Sequence, residues 1–267
     1  LGFFILFFSE SAPMNYDIGD LLNSWEFKPD EFLARRIRTS KGEEKLQIRI
    51  DMGLLQLELD GRPDGQQPHG YPSLLDYYQD LIESRPPQGL ELNEDECEEL
   101  FQEAWQYYHR YLSLFNLEDY EGVVADTEHT LQIFELVDQS APNDEIRWYF
   151  EQYYPHAIMM QTRAHAMLAL KNDDYPAAMH AVEEGIAHIE SFVEEWESEL
   201  DEDLPEISFL RAWYEELEQE RPLSQREQLE RDLQVAVEAE NFEEAARLRD
   251  QIQSLWPTPQ HLLRPKR

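Results

Sequence analysis

The sequence predicts a mainly α chain (α+β): a small N-terminal antiparallel β-meander, an acidic middle array of helices and a C-terminal helical hairpin. Three observations predict it. Residues 31–60 carry a two-residue hydrophobic period, residues from 93 onward carry a helical one, and the acid concentrates in that second part. With 267 residues, 42% hydrophobic and 12% aromatic, the chain can bury a core despite 30% charged residues. Its one cysteine, Cys97, rules out an internal disulfide and a CxxC zinc site, and fits a reducing, cytoplasmic setting. Acidic neighbours raise a thiol pKa, so Cys97 in Glu-Asp-Glu-Cys-Glu-Glu is a poor nucleophile.

Taken in order, the chain opens on an apolar run of about seven residues, too short to cross a bilayer and without a basic flank. Residues 1–13 read as a leader outside the native protein, with Met14 as its start. Leu46, Ile48 and Ile50 then alternate with Gln47, Arg49 and Asp51, and Leu55, Leu57 and Leu59 with Gln56, Glu58 and Asp60. Met52-Gly53 suits a tight hairpin, with Gly53 supplying a positive φ. Phe32 to Thr39 is a third strand, and the exposed face of the meander would carry Arg36, Arg38 and Arg49 beside Gln47 and Gln56. The Gly- and Pro-rich segment 61–70 is a structured loop. It holds Arg62, Asp64, Gln67 and His69 on a stiff frame, a candidate site; the alternative is that Arg62 and Asp64 pair locally and cap the sheet. Tyr71 to Ser84 reads as a helix ending before Arg85-Pro86-Pro87, the expected boundary between a domain at 14–92 and one at 93–223.

Helices are expected at 94–115, 118–138, 144–171, 175–199 and 206–220, the first capped by Asn93 with Glu96. Two halves align when Tyr120 is set on Tyr175, which places Leu131 on Ile186 and Phe134 on Ile189. Each half is a helix, a short acidic turn, an aromatic and a second helix opening on small residues. The pattern resembles the tetratricopeptide family, with longer helices. Stacked pairs of this kind bury a shared apolar face and leave a concave surface. Residues 93–223 carry 6 Lys/Arg against 33 Asp/Glu, so −27 of the chain's −35. Such a surface repels phosphate backbones and anionic lipid, which speaks against membrane association and direct nucleic-acid binding.

Residues 224–256 form two apolar stripes, Leu229, Leu233, Ala236 and Val237, then Ala245, Leu248, Ile252 and Leu255. Ser224 with Glu227 and Asn241 with Glu244 are capping signatures, and Trp256-Pro257 stops the second helix. The identities at Leu229, Leu233, Ala236 and Phe242, and in the run Glu244-Ala-Ala-Arg-Leu-Arg-Asp250, resemble the UVR motif of UvrB and UvrC. The resemblance implies a hairpin that docks on another protein, often another such hairpin. Leu233, Ala236, Phe242, Ala245, Leu248 and Ile252 would then form the seam, with register set by Arg247, Arg249 and Asp250 and rim charges such as Arg249 choosing the partner. Residues 257–267 are a basic tail. The whole layout is similar to that of UVR-motif proteins of planctomycete-type bacteria, a family with no activity to transfer.

The sequence lacks G-x-x-x-x-G-K-[ST], G-x-G-x-x-G and G-x-S-x-G, and no histidines sit at the i, i+4 spacing of zinc helices. No catalytic residue, metal or cofactor is therefore expected. The aromatic runs Trp105 to Tyr111 and Trp148 to Tyr154 exceed one helical stripe, so part of them is free to line a groove. The expected function is a non-catalytic interaction scaffold that docks a protein partner through its terminal hairpin. The rival is a nucleotide-excision-repair accessory factor, touching UvrB/UvrC-type proteins or touching DNA through Arg35, Arg36, Arg38 and Arg49.

Overall fold

The computed structural model describes residues 17–84, 89–196 and 204–255. The leader at 1–13, Met14, the boundary at 85–87 and the basic tail lie outside them. The chain divides into two compact units, residues 1–214 and 215–267. In the first, a short helix α1 (Gly19–Asn23) precedes strands β1 (Ala34–Arg38), β2 (Glu44–Ile50) and β3 (Gly53–Glu58), which pair antiparallel in the order β1-β2-β3. Six longer helices follow: α2 (Leu74–Ser84), α3 (Glu94–Asn116), α4 (Tyr120–Ser140), α5 (Asp144–Glu151), α6 (Tyr154–Leu170) and α7 (Tyr175–Glu195). Next comes α8 (Pro205–Glu220), and the second unit holds α9 (Gln225–Glu238) and α10 (Phe242–Leu255). The protein is mainly α with a small N-terminal sheet, as the periodicity predicts.

The register corrects two details of the meander. Ile50 pairs with Gly53, so the turn is Asp51-Met52, and Gly53 lies in the ladder without a positive φ. Arg35 pairs with Gln47 and Gln47 with Gln56, so Arg35 and Arg49, not Arg36 and Arg38, share the glutamine face. Because side chains alternate along a strand, this one-residue offset sends Arg36 and Arg38 to the face of Leu46 and Ile48. The glutamine face is also not open. Gln47 is 5% exposed; it accepts two hydrogen bonds from Arg35 at 3.0 and 2.7 Å, and Trp25 covers the Arg35 guanidinium at 4.0 Å.

The expected helix at 144–171 is two helices. Pro155 has no N–H to donate and its ring crowds the carbonyl of Glu151, so the chain breaks at Gln152-Tyr153 and restarts with Pro155 in the first turn of α6. Where α6 passes α7 the helices approach so closely that a Cβ on Gly185 would overlap Thr162.

The corners α3–α4 and α6–α7 are built alike. Glu118 and Asp173 are left-handed, with φ of 58° and 56°. The next residue donates its N–H back to a carbonyl five residues earlier, Asp119 to Leu114 at 2.9 Å and Asp174 to Ala169 at 3.1 Å. Its carboxylate then caps the following helix, on the N–H of Gly122 and of Ala177. The two corners that precede Tyr120 and Tyr175 thus share one geometry.

Residues on the two sides of the expected boundary at 85–87 share one core. Leu74, Leu75 and Tyr78 of α2 cluster with Leu100, Ala104, Ile133 and Phe134, while Leu46, Ile48 and Leu57 of the sheet cluster with Tyr111, Val123 and Met160. The run at 157–160 supplies buried Ala157, Ile158 and Met160.

Glu151, the last residue of α5, is 7% exposed. Burial, with Asp138 and Glu195 nearby, pushes its carboxyl up to about 7, against a smaller pull from Arg147. A carboxyl whose folded value is raised leaves stability intact below the unfolded value and removes it as pH climbs to the folded one. Glu151→Gln is therefore expected to stabilise by about 2–3 kcal/mol above pH ~7, with the gain fading toward pH ~4.5. Urea unfolding of both proteins across that range is the check; a gain independent of pH would refute it.

Candidate functional site

The Arg62 loop is fastened to α3. Arg62 Nε lies 3.3 Å from Asp64 Oδ2 and 3.7 Å from Glu103 Oε2, and Gln106 Nε2 donates to Asp64 at 3.0 Å. Glu103 is fully buried; it accepts the N–H groups of Leu74 and Leu75 at 2.8 and 3.2 Å, so it caps α2, and it meets His129 Nε2 at 3.0 Å. Arg110 donates to the carbonyls of Gly61 and Glu58 and makes a two-pronged pair with Asp126, at 2.8 and 2.6 Å. Burial pushes the Asp126 carboxyl up, while the Arg110 hydrogen bonds pull against it. His69, left-handed at φ 53°, stacks on Tyr77 at 4.1 Å, and Gln67 is exposed. Arg62 and Asp64 do pair locally, and they bind sheet to helices. Of the four loop residues, only Gln67 is left facing solvent without such a tie.

The arginines of the DNA reading are also engaged. Arg36 pairs with Asp119, Arg38 with Glu44 at 3.0 Å, and Arg49 donates to the carbonyls of Trp25, Ile50, Asp51 and Gly53. Cys97 is 2% exposed, and burial more than its acidic neighbours pushes its thiol up to about 11. Among the described residues no group of three or more His, Cys, Asp and Glu is placed to hold a metal, and no helix is long and apolar enough to cross a membrane.

The terminal hairpin is built from its caps inward. Ser224 and Glu227 form a reciprocal capping box at α9, and Glu227 also takes two hydrogen bonds from Arg221 at 2.9 and 2.6 Å. Those bonds, Arg221 first, hold the Glu227 carboxyl well below the usual carboxylate range. At the corner, Glu240 is left-handed at φ 53°, and Asn241 donates to Ala236 O at 2.9 Å and accepts from Glu244 N at 3.3 Å. The reciprocal bond of a full capping box is not made, because the Asn241 N–H is spent on Ala236 and the Glu244 carboxylate turns to Arg247 at 2.7 Å.

This is the corner of α3–α4 and α6–α7 a third time. Glu118-Asp-Tyr, Asp173-Asp-Tyr and Glu240-Asn-Phe occupy it in turn. The sequence reading aligns only the first two; the acid, Asp/Asn, aromatic order was the available signal for the third. Residues 224–255 match the family model described as UvrB/uvrC motif. The chain carries a UVR motif. Neither the curated proteins nor the solved structures compared with the chain give a match.

Within the UVR hairpin, the residues expected to dock divide. Ala236, Ala245 and Leu248 are 7%, 8% and 6% exposed, and Leu229 and Leu233 pack against them. Ile252 is half-buried. The cluster of Ala236, Ala245, Leu248, Leu229 and Leu233 holds α9 to α10. Phe242 is 69% exposed. Arg249, two turns further on the same side of α10, is exposed and among the described residues reaches only the adjacent Asp250, at 2.9 Å. Val235, Val237 and Leu255 are exposed as well. Tyr120, at the same corner position as Phe242, is 4% exposed, and Lys171 of the neighbouring corner lies over its ring at 4.5 Å.

Proposed function

We propose that the protein is a non-catalytic interaction scaffold whose UVR hairpin docks a helical partner, another UVR-type hairpin in the first instance, and that it works in the cytoplasm. The observation that carries this reading is Phe242: a large aromatic on a motif corner, uncovered among the described residues, where the equivalent Tyr120 is covered by the next helical pair. A partner that supplied such a pair would bury Phe242 and leave Arg249 at the rim, where charge selects among partners more than it adds affinity. The helical array of the first unit is the body that the hairpin recruits to its partner.

In the repair-accessory form of this reading a UvrB/UvrC-type partner is kept and the DNA contact is disfavoured, since Arg35 and Arg49 are held on Gln47, Trp25 and backbone carbonyls and the exposed Arg36 and Arg38 pair with Asp119 and Glu44. Affinity capture with the full chain and with a chain ending at residue 223 tests the docking. A set of partners captured only by the full chain is expected; identical sets would refute it. Fluorescence anisotropy with a labelled duplex, at about physiological salt, is expected to show no binding. Binding that falls steeply with salt and is lost in Arg36→Glu with Arg38→Glu would restore the rival.

A further inference from the structure

A groove of about 750 Å³ lies along α4, α6 and α7, with Glu151 at the end of α5 opening into it. Its apolar part includes Phe134, Trp196 and the stacked rings of Tyr154 and Phe192, 4.7 Å apart. Its polar part is acidic: Glu128, Glu135, Asp138, Glu151 and Glu195 line it, and no lysine or arginine does. The nearest cation, Arg147, is already paired with Asp138 and with Asp144.

Glu151 sets this groove apart from an ordinary acidic surface. It is 93% withdrawn from solvent (7% exposed), yet it makes no hydrogen bond or ion pair among the described residues. A carboxylate that deep ordinarily has a donor, because leaving it without one costs free energy. Its oxygens still touch the solvent of the groove, so the donors here come from outside the fold, from water or from a bound group that displaces it. Glu128 and Asp138 stand ten residues apart on α4, about 15 Å along the axis, which is the length of roughly four or five extended residues.

We propose that this groove binds an arginine- or lysine-bearing segment of a protein partner, one basic side chain seated on Glu151 and its neighbours running along Glu128, Glu135 and Glu195. An arginine there gains two-pronged hydrogen bonds to the carboxylate. The length of the acidic track favours a peptide over a single small cation. The groove shares no residue with the UVR hairpin, so the proposal stands or falls independently of hairpin docking.

The charged and titratable groups that line the groove with Glu151 or act on it are Glu128, Glu135 and Asp138 from α4, Arg147 from its own helix, Tyr154 and His165 from α6, and His188 and Glu195 from α7. The test uses the full chain and a fluorescein-labelled peptide of roughly ten residues alternating arginine and alanine, followed by anisotropy at about 0.15 M ionic strength. Affinity is expected to rise several-fold between about pH 6 and pH 8, as Glu151 ionises near 7. Glu151→Gln is expected to weaken binding about tenfold at pH ~8 and to flatten most of that rise. Glu99→Gln, on exposed α3 surface away from the groove, removes the same charge and is expected to change affinity less than about twofold. A melting temperature for Glu151→Gln no lower than that of the parent separates lost binding from lost fold. Equal weakening by the two substitutions, or spermidine displacing the peptide as well as unlabelled peptide does, would overturn the proposal in favour of diffuse charge attraction.

Discussion

Arg110→Ala is expected to cost about 3–5 kcal/mol of stability, the largest effect of any single substitution proposed for the first unit. Arg110 and Asp126 are each 4% exposed, and the guanidinium makes four hydrogen bonds: two to Asp126 and one each to the carbonyls of Gly61 and Glu58. Removing it strands a buried carboxylate and unfastens the end of β3 together with the Arg62 loop. Charge burial, not lost packing, is the main cause, and this can be shown in two ways. The variant's deficit should shrink in acid, because without Arg110 the Asp126 carboxyl moves further up and becomes neutral sooner, which lifts the penalty. Arg110→Met combined with Asp126→Leu should recover most of the loss, since an apolar pair strands no charge. Urea unfolding of the three variants at neutral and acid pH measures both. A deficit below about 1 kcal/mol for Arg110→Ala, a value typical of exposed ion pairs, would refute the role given to the pair.

Such a pair is hard to read from sequence. In a segment with 33 acids, Arg110 and Asp126 look like two more charges on solvated helix faces. The same holds for Glu103, which is fully buried as the cap of α2, and for Glu151. Period-2 alternation showed the strands and period-3.6 spacing the helices, because those patterns reflect the backbone itself. Register is different. Nothing in the alternation of β2 says which residues of β1 lie opposite, and the one-residue offset of Arg35 against Arg36 follows from pairing alone. Pro155 was visible and marks a helix start, yet apolar spacing on both sides of it made 144–171 look continuous. The third corner, at Glu240, escapes alignment for a related reason. Its aromatic is Phe and its cap Asn, so the identity of the letters changed while the backbone geometry did not. In the hairpin, spacing and resemblance name a set of residues but not their division between the internal seam and the open surface, which depends on where α10 sits against α9.

Leu248→Ala and Phe242→Ala are expected to separate that seam from the surface. Leu248 is 6% exposed, and it packs with Ala236, Ala245, Leu229 and Leu233. Truncating a buried leucine typically costs about 2–5 kcal/mol. A two-helix unit with so few buried side chains has little stability to lose, so Leu248→Ala should unfold the hairpin and abolish docking with it. Phe242 is 69% exposed, and truncating it should leave folding within about 0.5 kcal/mol of the parent. If the corner aromatic is the anchor that a partner covers, its loss should still weaken capture strongly, as truncation of a buried aromatic anchor costs about 2 kcal/mol or more of binding. Arg249→Glu should likewise spare the helices and shift partner choice instead of removing all binding. Circular dichroism reports the fold and quantitative capture reports the docking. Lost helicity with lost capture for Leu248→Ala, against full helicity with lost capture for Phe242→Ala, places the interface on the open side of the corner. Phe242→Ala capturing the same partners at parental strength would mean that the partner reads another face of the hairpin, and that the exposed aromatic does not carry the interaction.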